Sequence, residues 1–315
     1  MCELSGYHIM IVSKYFKTTN DFINLELVCK KFSGNMEKFH FNPIPLNSKT
    51  FKYFPNIETL HLWNVKDENF GNGFSINTKE NENNAVLKRK FFCVIVWFNV
   101  DFETVDRNKS RNIKFQNVTY TQNDREKFGN NIPSSVTSIG NCCFSGCSSL
   151  SSIVIPYSVK SISDFCFNQC SNLSSINILS SVTSIGNGCF IECSRLSCVT
   201  IPSSVIFIGN SCFFRCSSLS IVDIPSSVTL IGNCCFSGCS SLSSINIPSS
   251  VTSIGGSCFF ECSNLRDVNI QSSVKSIGDC CFFRCSSLIS ITIPSSVTSI
   301  GNYCFSSNTV VHQSK

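Results

Sequence analysis

The stretch Ile132–Val154, IPSSVTSIGNCCFSGCSSLSSIV, recurs with substitutions through the rest of the chain. Successive copies follow one another at steps of 23 residues, giving seven complete copies and a truncated eighth. Their first residues are Ile132, Ile155, Ile178, Ile201, Ile224, Ile247, Ile270 and Ile293. A fixed period of about 20–50 residues is typical of solenoids, whose units stack and bury one continuous core. The sequence therefore predicts an α/β repeat solenoid.

The apolar positions within one repeat fit neither a single helix nor a single strand. We expect a short strand over about Ser152–Ile155, which Pro156 ends because proline has no amide donor. Gly140 indicates a positive φ or a close backbone approach. The asparagine that follows it is a strong helix N-cap, which predicts a single α or 3₁₀ turn over Cys142–Cys147.

A phenylalanine recurs at one position of every copy, and we expect these rings to form a buried aromatic column. The column consists of Phe144, Phe167, Phe190, Phe213, Phe236, Phe259, Phe282 and Phe305. Since each ring would contact the turns on both sides, replacing one by alanine should open a cavity that costs about 3–5 kcal/mol.

Nineteen of the 22 cysteines lie in the repeats, and fifteen of these form two columns equivalent to Cys143 and Cys147. Three interpretations are open: small buried thiols, disulfides between turns, and metal ligands. Stacked parallel strands give poor disulfide geometry. The C-x₃-C spacing is unusual for zinc, and the repeats contain no histidine. We therefore favour free, buried thiols in a reducing compartment, with no metal or cofactor.

Charge and composition exclude several classes of function. The formal net charge is +5; residues 1–131 hold 18 basic and 14 acidic residues, whereas 132–311 hold six of each. A neutral array is a poor surface for nucleic acid. The most apolar stretch, Phe91–Val100, is too short to span a bilayer. With no secretory or lipidation signal visible, we expect a cytoplasmic protein. With no histidine to activate a repeat Ser or Cys, we expect no enzyme.

The phrase IPSSVTSIGNCCFSGCSSLSSI resembles the BspA-like leucine-rich repeat family, over residues 132–311. VSKYF, NLELVCKKF and FPNIETLHLW are similar to the N-terminal region of protist members of that family. The resemblance implies a right-handed superhelix with a parallel β-sheet on its concave face, short helical or 3₁₀ turns on its convex side, and a small helical N-terminal cap. It also implies a binding or adhesive role, often at cell surfaces.

The head of the chain divides into two further regions. Residues 1–45 should form a helical region, with Asp21 capping the helix FINLELVCKKF. Residues 46–131 should hold degenerate leucine-rich-repeat-like strands and loops, with strands in Phe54–Trp63, Phe91–Val100 and Ile113–Tyr120. The repeats occupy 132–311, and 312–315 form a tail.

Candidate binding residues are those that alternate with the inward side chains of the predicted strand, or that follow the core phenylalanine. On the concave face they are Ser152, Val154, Ser175, Asn177, Thr200, Asp223, Asn246, Arg266, Asp267, Asn269 and Thr292. On the convex side they are Phe214, Phe260 and Phe283. We also expect Glu192 to pair with Arg215, and Glu261 with Arg284, between adjacent turns.

These features predict a non-enzymatic scaffold for protein–protein interaction or adhesion, with an unidentified protein partner. Self-association through the open C-terminal end of the solenoid is a further expectation. An alternative stays open, because residues 4–36 are also similar to an F-box. In that case the chain would be an intracellular adaptor whose solenoid recruits substrates to a ubiquitin ligase.

Overall fold

The computed structural model describes residues 11–28, 30–72 and 88–314, with the side chain of Lys31 left out. The chain divides into two compact units, Met1–Val118 and Thr119–Lys315. The first unit holds the helical region and a small parallel sheet, and the second holds the repeats.

The first unit contains strands at all three predicted positions. Its elements are α1 (Thr19–Val28), 3₁₀ turns at Lys30–Phe32, Met36–Lys38 and Phe51–Tyr53, β1 (Thr59–Leu62), β2 (Cys93–Asp101), α2 (Phe102–Arg107) and β3 (Ile113–Tyr120), whose last two residues belong to the second unit. Strands β1 and β2 are parallel, with Thr59 opposite Cys93.

Helix α1 begins earlier than its sequence predicts. The Thr18 hydroxyl accepts the Asp21 N–H at 3.3 Å, and the Asp21 carboxylate accepts the Thr18 N–H at 2.8 Å. Thr18 is thus the N-cap, and Asp21 completes a reciprocal pair. Phe22 is fully buried, but Val28 is 79% exposed, so the buried side of α1 does not extend to the end of the helix. Cys29 lies outside the described residues.

The second unit opens with a helix that the sequence did not lead us to expect. Residues 46–131 were expected to hold strands and loops, but the helix α3 (Gln122–Phe128) lies near their end. The Thr121 side chain and Asp124 form a capping box at its start. The Cys143 thiol donates to the Thr121 carbonyl at 3.3 Å, so this helix is joined to the first repeat.

Most repeats contain two parallel strands, where we predicted one. The long strands, at the predicted place, are β6 (Ser175–Asn177), β8 (Cys198–Thr200), β10 (Ile221–Asp223), β12 (Ser244–Ile247), β14 (Asp267–Ile270) and β16 (Ser290–Ile293). The unpredicted short strands are β4 (Ser138–Ile139), β5 (Ser161–Ile162), β7 (Ser184–Ile185), β9 (Phe207–Ile208), β11 (Leu230–Ile231), β13 (Ser253–Ile254), β15 (Ser276–Ile277) and β17 (Ser299–Ile300). A final strand, β18 (Val310–Gln313), pairs with β16. The first copy has no strand at 152–155.

Strand pairing keeps the sequence period of the repeats. Ser138 lies opposite Ser161, and Ile176 lies opposite Val199, one repeat apart in each case. The short strands from β4 to β17 form one continuous parallel ladder, whereas the long strands form three separate small sheets. The predicted parallel-strand solenoid is therefore confirmed.

The predicted helical turn over Cys142–Cys147 is absent from the described repeats, and linked turns take its place. The Cys142 N–H donates to the Asp164 carbonyl at 3.0 Å, and the Phe144 N–H donates to the Cys166 carbonyl at 2.8 Å. Cys142 and Gly146 have φ values of 54° and 72°. A helix would keep these N–H groups within one turn, whereas here they join each turn to the next.

The asparagines that recur at the position of Asn141 accept hydrogen bonds from the neighbouring turn and do not cap a helix. Asn187 Oδ1 accepts the Asn210 N–H at 2.9 Å, and Asn210 Oδ1 accepts the Asn233 N–H at 2.8 Å. The preceding glycines are explained by close approach and not by positive φ. A Cβ added to Gly186 would lie 2.5 Å from the backbone nitrogen of Asp164, a distance that permits no side chain.

The phenylalanine column is confirmed as the centre of the solenoid core. Neighbouring rings from Phe144 to Phe282 are stacked, with centroids 5.3–5.5 Å apart. These rings are fully buried. Tyr120 extends the column at its start, 6.4 Å from Phe144, and the half-buried Phe305 ends it.

The two cysteine columns are mostly buried, and the structure explains why cysteine suits the second of them. The Cys216 thiol donates to the Phe190 carbonyl at 3.0 Å, and the Cys239 thiol donates to the Phe213 carbonyl at 3.2 Å. Alanine would fill similar space without a donor. The 20 described cysteines are all free. A thiol that donates its proton to a carbonyl is neither a thiolate nor part of a disulfide.

Replacing Phe236 by alanine should lower the free energy of unfolding by about 3–5 kcal/mol, because it opens a cavity between two stacked rings. Phe214→Ser is the matched control, since Phe214 is half-buried and serine stands at the equivalent position 237. We expect a much smaller loss for the control in urea unfolding. If both variants lost the same free energy of unfolding, the phenylalanine column would not be the principal part of the core.

Among the described cysteines of the native protein, iodoacetamide should label Cys198 first, because it is exposed, whereas Cys212 and Cys239 are fully buried. Peptide mass spectrometry after brief labelling measures this order directly. Cys212 should react only after denaturation. If Cys212 were labelled as fast as Cys198, or if cysteines of the repeats were recovered as disulfides, the two columns would not consist of buried free thiols.

The solenoid should lose stability steeply as pH rises above about 9. Burial raises the pKa of Cys212 and Cys258 from 9.0 to about 12. Above pH 9 the unfolded chain releases thiol protons that the folded chain keeps, so unfolding is favoured by about 1 kcal/mol per buried thiol between pH 9 and 10. Urea midpoints in the presence of a phosphine reductant measure the slope.

A variant with Cys189, Cys212 and Cys235 replaced by alanine is the control for that slope. It lacks three titrating thiols, so its midpoint should fall less between pH 9 and 10 than that of the unaltered chain. A midpoint that does not change over this pH range in the unaltered chain would show that the thiols are not kept protonated by folding.

Candidate binding surfaces of the repeat array

The long strands, and residues 152–154 of the first copy, which form no strand, present two columns of outward side chains, one on either side of an inward-facing position. We call this surface the long-strand face. The first column holds Ser152, Ser175, Cys198, Ile221, Ser244, Asp267 and Ser290; the second holds Val154, Asn177, Thr200, Asp223, Asn246, Asn269 and Thr292. All these side chains are exposed, as is Arg266. Every residue predicted for the concave face therefore lies at the surface of the array.

Short polar groups on this face are held in place by bonds between turns. The Asn269 amide donates to Asn246 Oδ1 at 2.8 Å. Beside the columns, the Ser197 hydroxyl donates to the Ser174 carbonyl at 3.3 Å, and the Ser220 hydroxyl repeats this bond to Ser197. The face therefore offers donors and acceptors in fixed positions.

The charges on the long-strand face are not neutralised by one another. Arg266 and Asp267 are exposed neighbours, and neither forms an ion pair with any residue in the described part of the chain. Their side chains are free to bind a charged group from outside.

The residues after the core phenylalanines form a second surface, the ridge. Both predicted ion pairs are present there: Arg215 lies 3.6 Å from Glu192, and Arg284 lies 2.7 Å from Glu261. The Glu192–Arg215 pair lines a groove of about 460 Å³, together with Gln169. Each pair is largely exposed and contributes about 0–1 kcal/mol to stability.

The three predicted ridge phenylalanines are half-buried, and arginines cover two of them. The Arg215 guanidinium lies 5.1 Å from the Phe214 ring centre, and that of Arg284 lies 5.7 Å from the Phe260 ring centre. Phe260 and Phe283 are stacked, with centroids 6.2 Å apart. Because the ridge phenylalanines already contact side chains within the array, they offer a partner less free apolar surface than exposed rings would.

The short strands carry an apolar group that the sequence analysis did not single out. Ile206 is 63% exposed, Phe207 38% and Leu230 41%. Other copies have threonine or lysine where Ile206 stands, and serine where Phe207 and Leu230 stand. Comparing each copy with its neighbours, position by position, would have found this departure.

The first unit has an aromatic surface on its own sheet. His61 stacks on Phe41 with ring centres 5.0 Å apart, and Trp97, which is 41% exposed, lies 5.9 Å from His61. Asn42 holds the backbone of His61 through both its N–H and its carbonyl. Burial lowers the pKa of His61 below its ordinary 6.5, so the imidazole is neutral at pH 7.

Neither metal ligation nor membrane spanning is indicated by the described residues. No group of three or more His, Cys, Asp or Glu side chains among them is placed to hold a metal ion. Across the same residues, every helix is too short or too polar to cross a bilayer.

The chain is similar to several bacterial leucine-rich repeat proteins of known structure. One from Bacteroides ovatus matches at 31% identity and a TM-score of 0.53, over 64% of this chain and 52% of that one. One from T. pallidum matches at 25% identity and a TM-score of 0.39, over 63% of this chain and 74% of that one. A leucine-rich cell surface protein from Faecalibacterium prausnitzii matches at 21% and 0.30, over 67% and 74%. The chain spans about half the length of the Bacteroides ovatus protein.

Curated proteins give no match to this chain. The model of the BspA type leucine-rich repeat region matches in six copies, over residues 115–243 and 230–313. These residues make up more than half of the sequence and include both strand ladders. The chain therefore belongs to the BspA type leucine-rich repeat family.

Proposed function

We propose that the repeat array is a non-enzymatic protein-binding scaffold of the interaction or adhesion type. The observation that carries this proposal is the long-strand face, where two columns of exposed side chains stand on consecutive parallel strands. The fold does not use these side chains, because the core is built from the residues that alternate with them. They are consequently available to a partner.

The rigidity of the face supports binding more than catalysis. Its backbone is bonded from turn to turn, and its hydroxyl and amide groups are already oriented. A preorganised surface loses little conformational freedom when a partner docks, so more of the contact energy appears as affinity.

The chemistry of the array argues against a nucleophilic mechanism. The buried thiols have raised pKa values, since burial disfavours the thiolate that would attack a substrate. Residues 132–311 hold no histidine that could act as a general base. A reducing compartment such as the cytoplasm suits a chain whose 20 described cysteines are free thiols.

The F-box-like adaptor stays an alternative from the sequence. Tyr15, Leu27 and Val28 are each about four-fifths exposed, at 81%, 78% and 79%. None of the comparisons above supports a ubiquitin-ligase role, so this alternative remains a prediction.

Reversing the charges of the long-strand face should weaken partner capture without destabilising the fold. In the variant Arg266→Glu with Asp267→Arg, both changed side chains are exposed and neither breaks an ion pair among the described residues. We expect an unchanged thermal midpoint. Affinity capture from cell extract, with quantitative mass spectrometry, measures loss of specific partners.

The control moves charge on another face. Exchanging Glu261 and Arg284 for each other keeps the ridge ion pair and leaves the long-strand face untouched. It should capture the same proteins as the unaltered chain. Undiminished capture by the Arg266 and Asp267 variant would remove this patch from the binding surface.

A further inference from the structure

Ile206, Phe207 and Leu230 are exposed apolar residues on two adjoining turns, and we call them the apolar island. Ile206 and Phe207 are adjacent in the chain, and Leu230 lies directly opposite Phe207 on the neighbouring short strand. Their exposed fractions are 63%, 38% and 41%. Such side chains at the surface favour association, because covering them removes apolar area from water.

The fold does not require the apolar island. The backbone bond from the Thr229 N–H to the Ile206 carbonyl, at 3.1 Å, has the same form as the bond from Lys275 to Thr252 at 2.8 Å. Neighbouring turns make the same ladder with threonine and serine at the island positions. In the described array, threonine and serine at these positions therefore support the same fold as the large apolar side chains do.

Two lysines bracket the apolar island on the same column of the short-strand ladder. Lys160 stands two repeats before Ile206 and Lys275 three repeats after it, at equivalent positions. Both side chains are exposed, and neither forms an ion pair with the described residues. At about 4.8 Å per strand, the two lysine positions are roughly 24 Å apart.

We propose that the apolar island and its two lysines bind an extended segment of a partner protein that has large apolar side chains between two acidic residues. The segment lies across the short strands, its apolar groups cover the island, and its carboxylates reach Lys160 and Lys275. An extended chain advances about 3.3 Å per residue, so about seven steps separate the two acidic residues. This inference rests on the protein-binding function proposed above, but it uses a different face.

The charge pattern selects this occupant over a membrane or a second copy of the chain. Binding to anionic lipid requires a denser basic cluster, of about four to eight residues, whereas the array is neutral overall. A second copy docked antiparallel on this face would place lysine against lysine. An acidic segment complements both lysines.

The test uses a synthetic octapeptide, acetyl-ESSLSLSE-amide, with a fluorophore at one end. Its glutamates at positions 1 and 8 match the lysine separation. The leucines at positions 4 and 6 and the glutamate at position 8 lie on the side of an extended chain that faces the island, and the glutamate at position 1 reaches its lysine by rotation of the unconstrained first residue. Fluorescence anisotropy with the full chain, up to millimolar protein, should show saturable binding that weakens with salt. Replacing both glutamates by glutamine should weaken binding.

The decisive variant restores the repeat pattern: Ile206→Thr, Phe207→Ser and Leu230→Ser. These residues stand at the same positions in other turns, so the fold should be kept, which circular dichroism and the thermal midpoint verify. Binding should weaken at least about tenfold. The matched control is Ile221→Ser, which removes a 70% exposed isoleucine from the long-strand face and should leave peptide binding unchanged.

Replacing Lys160 and Lys275 by threonine, the residue of neighbouring turns, should lower affinity and reduce its salt dependence. No saturable binding of the peptide at millimolar protein, or binding that the restored variant retains, overturns the proposal. Island-dependent sedimentation with phosphatidylserine vesicles, without peptide binding, overturns it in favour of a lipid surface. The Arg266 and Asp267 variant should bind the peptide normally, so failure here is separable from failure of the long-strand face.

Discussion

The repeat array depends on backbone hydrogen bonds that join each turn to the next at every segment of the repeat. At the turns after Gly140, alternate N–H groups leave their own turn and donate to carbonyls 22 residues on, as from Cys142 to Asp164 and from Phe144 to Cys166. The asparagine column adds one side-chain bond in the opposite direction, because each Asn Oδ1 accepts an N–H of the following turn. Because each turn needs its neighbour to satisfy its backbone, a single repeat would expose both its polar groups and its core.

This constraint explains the composition of the buried columns. Turns that stack in register bring identical side chains face to face, so the core must be built from residues that tolerate their own copies. Phenylalanine rings stack at 5.3–5.5 Å, and cysteines fit a narrow space while donating to the phenylalanine carbonyls of the previous turn. Glycine follows the short strand because the backbone of the previous turn occupies the place of its Cβ.

Features that recur with the 23-residue period could be predicted from the sequence. Features that depend on hydrogen bonds between neighbouring turns could not. The inward positions, the long strands and the stacked phenylalanines recur visibly in the sequence, and the structure has them where they were expected. The exception is the first copy, which lacks the long strand. The Asn141 position was interpreted as a helix cap because its local partners would be N–H groups of its own segment. Its actual partner, the N–H of Asp164, is one whole repeat away. The short strands were missed for the same reason, since a strand of two residues such as Ser138–Ile139 is too short to show an alternating pattern of its own.

Of the two candidate binding surfaces, one could be predicted from the sequence pattern and the other could not. Exposure of the long-strand columns could be predicted, because alternation along a strand decides which side chains face outward. The apolar island could be recognised only by asking where a repeat departs from its neighbours. In an array whose turns must match in order to stack, a substitution in a buried column is limited by packing, whereas Thr-to-Ile or Ser-to-Leu on an exposed column is not. Departures such as Ile206 and Leu230, which the stack neither needs nor prevents, are therefore the positions at which a chain of nearly identical repeats can acquire a specific partner.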